Sequence, residues 1–492
     1  MRFAALQSNI HKPVILAIGL ILLGYAVATL GGWTRAFEPL AHDETVAGAP
    51  MAEEAVAHYW SVIPFTLLLG AIAVLPLMEQ TSHWWEKNLN KFYVAVILAL
   101  IALLYLSVLH PQGSVGRAAE TLRHVVISDY IPFIVLLFSL YTISGGIRIA
   151  GDLPAHPLTN VAFLAAGGLL ASFIGTTGAA MLLVRPLLET NAERKRVAHT
   201  MVFFIFIACN CGGLLLPLGD PPLFLGYLNG VDFLWTLSLW KSWLFINTLL
   251  LALYFALDHF YHYPREEQKD VAADETQVRK LTFSGLWPNA LLLLGIILSV
   301  ALLDPAKAFP GTAWHPWLYL REMVQLALVA LSLATGPHTV REANNFDYLA
   351  IIEVGVLFIG IFVAMQPALE ILHVRGATFG IDTSHKFFWA SGWLSSVLDN
   401  APTYLVFFKT AQSLSSAAQP SVAGVAENLL SGVALGSVTM GAMTYIGNGP
   451  NFMVKTIAER AGVKMPTFFG YMLYSFLVLL PILALNTLLF LE

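Results

Sequence analysis

Apolar residues in this chain gather into long unbroken blocks, not into alternation or one-sided stripes. Blocks at 14–30, 62–78, 93–109, 130–147, 235–257, 291–303, 323–333, 349–365 and 468–491 stand out. A helix needs roughly 20 apolar residues to cross a bilayer, so the pattern predicts membrane helices. Continuous runs exclude a β-barrel, whose strands alternate. The first block exceeds the roughly 7–15 residues of a signal-peptide core and no A-x-A site follows it. It is therefore expected to stay as a helix.

Four further apolar stretches are interrupted. One contains Ser172-Phe173-Ile174-Gly175-Thr176-Thr177-Gly178, and another Ser395-Ser396-Val397-Leu398-Asp399-Asn400-Ala401-Pro402-Thr403. The third is broken by Leu216-Pro217-Leu218-Gly219-Asp220-Pro221-Pro222, and the fourth by Ile446-Gly447-Asn448-Gly449-Pro450-Asn451. Broken backbone at membrane depth is tolerated only where it is buried or lines a cavity. Interrupted segments in matching positions of two halves point to a transporter binding site.

The halves do correspond. Phe138 matches Phe358, Ser172 matches Ser395 and Gly219 matches Gly447, at offsets of 220, 223 and 228. Residues 1–120 then hold N-terminal transmembrane helices, and 121–258 form a first repeat with a hairpin at 158–190 and a broken helix at 199–235. A cytoplasmic linker at 259–285 leads to a second repeat at 286–492, with a hairpin at 386–410 and a broken helix at 428–458. Inside segments are expected to be rich in Lys and Arg. With the N-terminus inside, Arg2, Lys12, Lys87, Lys91, Arg194-Lys195-Arg196, the 265–280 stretch, Arg341, Arg460 and Lys464 all fall inside. Arg35, Arg117, Arg123, Lys307 and Arg375 are scattered outside. The two hairpins then enter from opposite faces. The expected fold is an all-α polytopic membrane protein of two inverted repeats, each with a re-entrant hairpin and a broken helix. It would be multi-pass in the inner (plasma) membrane, with the N-terminus cytoplasmic.

Composition agrees. Of 492 residues 57% are hydrophobic and only 12% charged, about half the charge of a soluble domain. A net charge of −5 offers no basic face for nucleic acid. The two cysteines, Cys209 and Cys211, point different ways on a helix and read as small apolar residues. No H-E-x-x-H or G-x-S-x-G motif suggests an embedded enzyme, and no cofactor is expected beyond a sodium ion as cargo or coupling ion.

A charge at membrane depth costs about 2.5–3.5 kcal/mol on insertion scales, so each one invites a functional reading. Four acids qualify: Asp129, Asp220, Glu353 and Asp399. Asp399 stands at a hairpin tip beside Asn400 and before Pro402. It suits a cation or proton site, and equally a helix cap. Asp220 sits in a turn that also starts a helix. Glu353 complements a helix dipole or binds the ion. Thr176, Thr177, Asn210, Asn400, Thr403, Thr444, Asn448 and Asn451 supply neutral oxygens at or near the breaks. Free helix N-termini there would also favour an anion. His156, His199 and His373 read as interface residues, with no histidine cluster.

These motifs resemble the ion transporter superfamily. Within it the chain is similar to NhaD-type sodium:proton antiporters and to the citrate transporters related to them. The hairpin serines with Thr176-Thr177 and Asp399-Asn400-Ala401-Pro402-Thr403, the motifs around Asp220 and Asn448, and Leu136 to Gly146 carry the resemblance over roughly 128–491. It implies hairpin tips and broken helices that clasp sodium, substrate at midplane, an elevator-like motion and a homodimer. NhaD-type proteins tend to carry Asp-Asn at the first tip, where this chain has Thr176-Thr177. They also tend to carry Thr-Thr where it has Pro222-Leu223.

The expected function is secondary active transport, with sodium:proton antiport first. Asp399 and Asp220 would exchange sodium for a proton, with Asn400, Asn210, Asn448 and Glu353 completing the ion site. Sodium itself would lie on Asp399, Asn400 and Asn448. Thr176, Thr177, Pro402, Thr403, Gly447, Gly449 and Asn451 would face the substrate. The alternative is sodium- or proton-coupled symport of citrate or another di- or tricarboxylate, held by Thr177 and Thr403.

Overall fold

The computed structural model describes residues 2–34, 56–276, 278–415 and 420–491; Arg35 lies outside them. In hydrocarbon every backbone N–H and C=O must find a protein partner, so helices dominate. Among the described residues six helices are long and apolar enough to cross a bilayer: His11–Leu30, Asn88–Leu109, Val115–Ser144, Pro157–Ile174, Trp235–Arg265 and Phe468–Phe490. Counting bent pairs as spans raises this to eight. The protein is an all-α polytopic membrane protein.

Helix Val115–Ser144 runs through position 121, where the sequence pattern places a boundary. Its first turns are polar and carry no membrane signal. The Ser114 hydroxyl starts them by accepting the Arg117 N–H at 3.0 Å. The 259–285 linker is also more ordered than its polarity suggests. It carries helix Gln268–Thr276 and strand Arg279–Ser284.

The chain folds into two compact units. The first comprises Met1–Ala52, Tyr130–Ile149 and Phe283–Val354. Here helix Leu320–Thr335 packs on Arg2–Leu30, Ile131–Ser144 and Leu286–Leu302. Arg341 is 1% exposed, and its Nη2 donates to Ser332 Oγ at 2.7 Å. The same nitrogen reaches Ser332 O at 3.4 Å and Thr142 O at 3.5 Å, near the ends of two helices. A cation there meets the negative ends of two helix dipoles.

The second unit comprises Glu53–Asp129, Ala150–Thr282 and Gly355–Glu492. It contains both hairpins and both broken helices. Helices Pro157–Ile174 and Thr176–Thr190 make the first hairpin, and Ser384–Val397 and Asn400–Leu414 the second. The first broken helix is Ala198–Ala208 and Pro221–Leu228, the second Glu427–Thr439 and Gly449–Arg460. Each hairpin packs on the broken helix that follows it. Glycines allow this: a Cβ at Gly212 would lie 2.5 Å from Gly168 Cα, and one at Gly436 would lie 2.3 Å from Phe388 O. Such close contact replaces the hydrophobic driving force that lipid cannot supply.

Candidate functional site

Proline and glycine stop each broken helix and free its terminal carbonyls. In the first break, Gly212 O accepts from Ser172 Oγ at 2.5 Å and Trp243 Nε1 at 3.0 Å. Thr236 Oγ1 donates to Leu215 O at 3.0 Å. In the second, Ser395 Oγ donates to Ser437 O at 2.6 Å, and Tyr471 OH to Ala442 O at 2.8 Å. The matching serines thus do the same work, each tying its hairpin to a freed carbonyl. A buried break without such partners would cost a few kcal/mol per orphaned group.

Asp220 stands at the centre. It precedes Pro221, at the start of the second half of its helix, and is 1% exposed. Thr176 Oγ1 of the first hairpin tip donates to its Oδ1 at 2.9 Å. Asn400 Nδ2 of the second tip donates to Oδ2 at 2.6 Å, and Asn448 Nδ2 of the second broken helix to Oδ1 at 3.1 Å. Three elements distant in sequence therefore meet on one carboxylate. Thr176 N–H also donates to Gly219 O at 2.9 Å, which fixes the first tip beside it.

Behind Asp220 lies a cluster of asparagines. Asn448 Nδ2 also faces Cys209 O at 3.0 Å and Asn210 Oδ1 at 3.2 Å. Asn210 Nδ2 donates to Asn451 Oδ1 at 2.8 Å and Ile205 O at 2.9 Å. Asn451 Nδ2 donates to Gly441 O at 2.9 Å and Thr444 O at 3.0 Å. Gly447 packs against Gly441, where a Cβ would come 2.6 Å from the Gly441 carbonyl oxygen.

The remaining predicted residues make other contacts. Asp399 caps the second hairpin helix, its Oδ1 accepting the Ala401 N–H at 3.1 Å. Thr403 Oγ1 donates to Asp399 O at 2.9 Å, within that first turn. Pro402 is buried in the same turn, Thr177 is half-buried beside Thr176, and Gly449 is exposed with open space around it. Glu353 belongs to the first unit, whereas every residue of the asparagine network belongs to the second.

The chemistry suits a cation. The site offers a carboxylate, a hydroxyl and amide oxygens. Asn400 is 1% exposed, and its Oδ1 has no hydrogen-bond partner among the described residues. An orphaned buried acceptor is costly unless something electropositive meets it. Elsewhere, carboxylates of Asp152, Glu193 and Asp274 gather with oxygens within 4.8 Å of one another, a grouping the sequence does not reveal.

One expectation is corrected. His199 stands at the start of its helix and is only 2% exposed, with Nε2 at 3.0 Å from Asp258 Oδ1. Its ring stacks on His262 at 3.8 Å between centroids, so a histidine pair does exist. The Arg194 guanidinium forks onto Asp258 at 3.0 and 2.5 Å, and Tyr254 OH donates to the same carboxylate at 3.1 Å. The spacing of Tyr254, Asp258 and His262, four apart on a helix, is the signal that marks this cluster. Cys209 and Cys211 are buried free thiols, as small apolar residues would be.

Two paired breaks and two hairpin tips around a buried carboxylate, inside a polytopic helical chain, are the build of a transporter. Residues 54–491 match the family described as "Putative citrate transport". The chain belongs to that family. It is 21% identical over 384 residues to an uncharacterized transporter of Schizosaccharomyces pombe, a match covering 67% of this chain and 44% of the relative. The chain thus spans less than half the length of that relative.

Proposed function

We propose that this transporter exchanges sodium for protons, with Asp220 as the exchanging carboxylate. The observation that carries the reading is the convergence of Thr176, Asn400 and Asn448 on one fully buried acid. Neutral partners leave its charge for a cation or a proton to neutralise. Sodium would take Asp220, the free Asn400 Oδ1 and the Thr176 hydroxyl; Asp399 would hold the second hairpin helix in register beside them. The same reading takes the two halves as inverted repeats of a homodimer in the plasma membrane, with the N-terminus in the cytoplasm.

Coupled symport of citrate or a similar carboxylate is the second reading, favoured by the family's description. Against it stands the central negative charge, which an anion must either avoid or share with a coupling cation. Proteoliposomes decide between the two. An imposed sodium gradient should move protons in wild type without accumulating labelled citrate. Sodium-dependent citrate uptake with no proton movement would overturn the first reading in favour of the second.

A further inference from the structure

We infer that Arg341 and Thr142 hold a small anion of the halide type in the first unit. The inference stands apart from the cation reading of Asp220, which belongs to the second unit.

Arg341 is 1% exposed, and the partners of its Nη2 are all neutral: Ser332 Oγ at 2.7 Å, Ser332 O at 3.4 Å and Thr142 O at 3.5 Å. A guanidinium carries five N–H hydrogens and stays charged in proteins. Its Nε and Nη1, which hold three of those hydrogens, have no hydrogen-bond partner among the described residues. Neither has the Thr142 hydroxyl, which is buried at 0% exposed and belongs to the residue whose carbonyl faces Nη2. The two helix ends offer partial charge, and they offer it to Nη2. Stranded buried donors cost free energy unless an acceptor meets them, and a buried charge costs more.

The acceptor that these donors call for is an anion. Chloride accepts from several donors at once, donates nothing and carries the opposite charge. Water also accepts, but it brings hydrogens of its own that need acceptors, and it leaves the guanidinium charge unmatched. Shape narrows the choice further. A Cβ at Gly146 would lie 2.6 Å from Arg341 Nη2, and one at Gly336 would lie 2.9 Å from Nη1. Backbone packed this closely on the guanidinium suits a single-atom anion, not a phosphate or carboxylate. The anion would join the ends of helices Ile131–Ser144 and Leu320–Thr335 to the short helix His338–Ala343 that carries Arg341. All three lie in the first unit, so the effect falls on the stability of that unit.

The test is thermal unfolding of the purified full-length protein at fixed sodium and ionic strength, with chloride replacing gluconate stepwise and phosphate as a parallel series. The wild-type melting temperature should rise with chloride to a plateau. Thr142→Val keeps the side-chain shape and removes a hydroxyl that has no partner among the described residues. It should hold its melting temperature in gluconate and need roughly tenfold more chloride, the effect of one hydrogen bond to a charged group. Arg341→Met should lose the chloride response. Should Arg341→Met fail to fold, the shift in Thr142→Val decides alone. A wild type that ignores chloride would overturn the site and leave water as the partner of these donors. A wild-type chloride response in either variant would place the chloride elsewhere and overturn it too. Stabilisation by phosphate and not by chloride would overturn the halide class.

Discussion

The two hairpin tips share a scaffold and differ in what they do with it. Ser172 and Ser395 stand at matching positions, and each donates to a freed carbonyl of its own broken helix, at 2.5 and 2.6 Å. Four residues further on, the tips diverge. At the first, Gly175 turns the chain with φ of +80°, a conformation that favours glycine, and Thr176 reaches Asp220. At the second, Asp399 turns back to cap its own helix, and the next residue, Asn400, reaches Asp220. The tip acid, Asp399, gives one oxygen to its own cap, and the distant donors meet on Asp220. The central acid sits on a broken helix, where both tips and the other break can donate to it. A glycine that makes the turn unaided leaves its threonine free to point inward. An aspartate that caps passes the inward role to its neighbour.

Removing the inward contact of the second tip should have the larger effect. Asn400→Leu deletes a hydrogen bond to a carboxylate, a loss of about 1.5–3 kcal/mol, together with the free amide oxygen. Sodium affinity should fall by roughly one to two orders of magnitude, read by sodium-driven exchange in proteoliposomes with the protein still inserted. Unchanged affinity would mean that the second tip does not serve the ion.

Changing the capping residue should matter far less. Asn and Asp cap about equally well, so Asp399→Asn keeps the Ala401 contact while removing the charge. Exchange should stay within a few-fold of wild type and thermal stability within about 0.5 kcal/mol. Loss of exchange in this variant would restore Asp399 to the ion site and erase the difference between the tips.

Much of this was legible in the sequence. Glycine and proline inside apolar blocks mark the breaks, because neither residue sustains a helix. The paired serines mark the hairpins, because a hydroxyl is the smallest group that can satisfy a freed carbonyl. Rank among the acids was not legible. Asp220 before Pro221 and Asp399 before Asn400-Ala401-Pro402 both look like caps, and only the fold shows which one the distant donors reach. The Arg194, His199 and Asp258 cluster was hidden for a related reason. Arg194 and His199 lie 64 and 59 residues from Asp258, so only the Tyr254, Asp258 and His262 spacing within one helix hints at it. Helix Val115–Ser144 was half hidden because its first turns are polar and its signal is a single serine cap.

On this reading Asp220 carries the coupled cation in place of a proton. Sodium binding to the purified protein, titrated at successive pH values in wild type and Asp220→Asn, tests it most directly. Wild-type affinity should weaken as pH falls, by up to tenfold per pH unit once the carboxylate is mostly protonated, because one proton displaces one sodium. Asp220→Asn should bind sodium at least tenfold more weakly, with little dependence on pH. Sodium affinity that ignores pH in wild type, or that survives unchanged in Asp220→Asn, would show that Asp220 does not carry the cation.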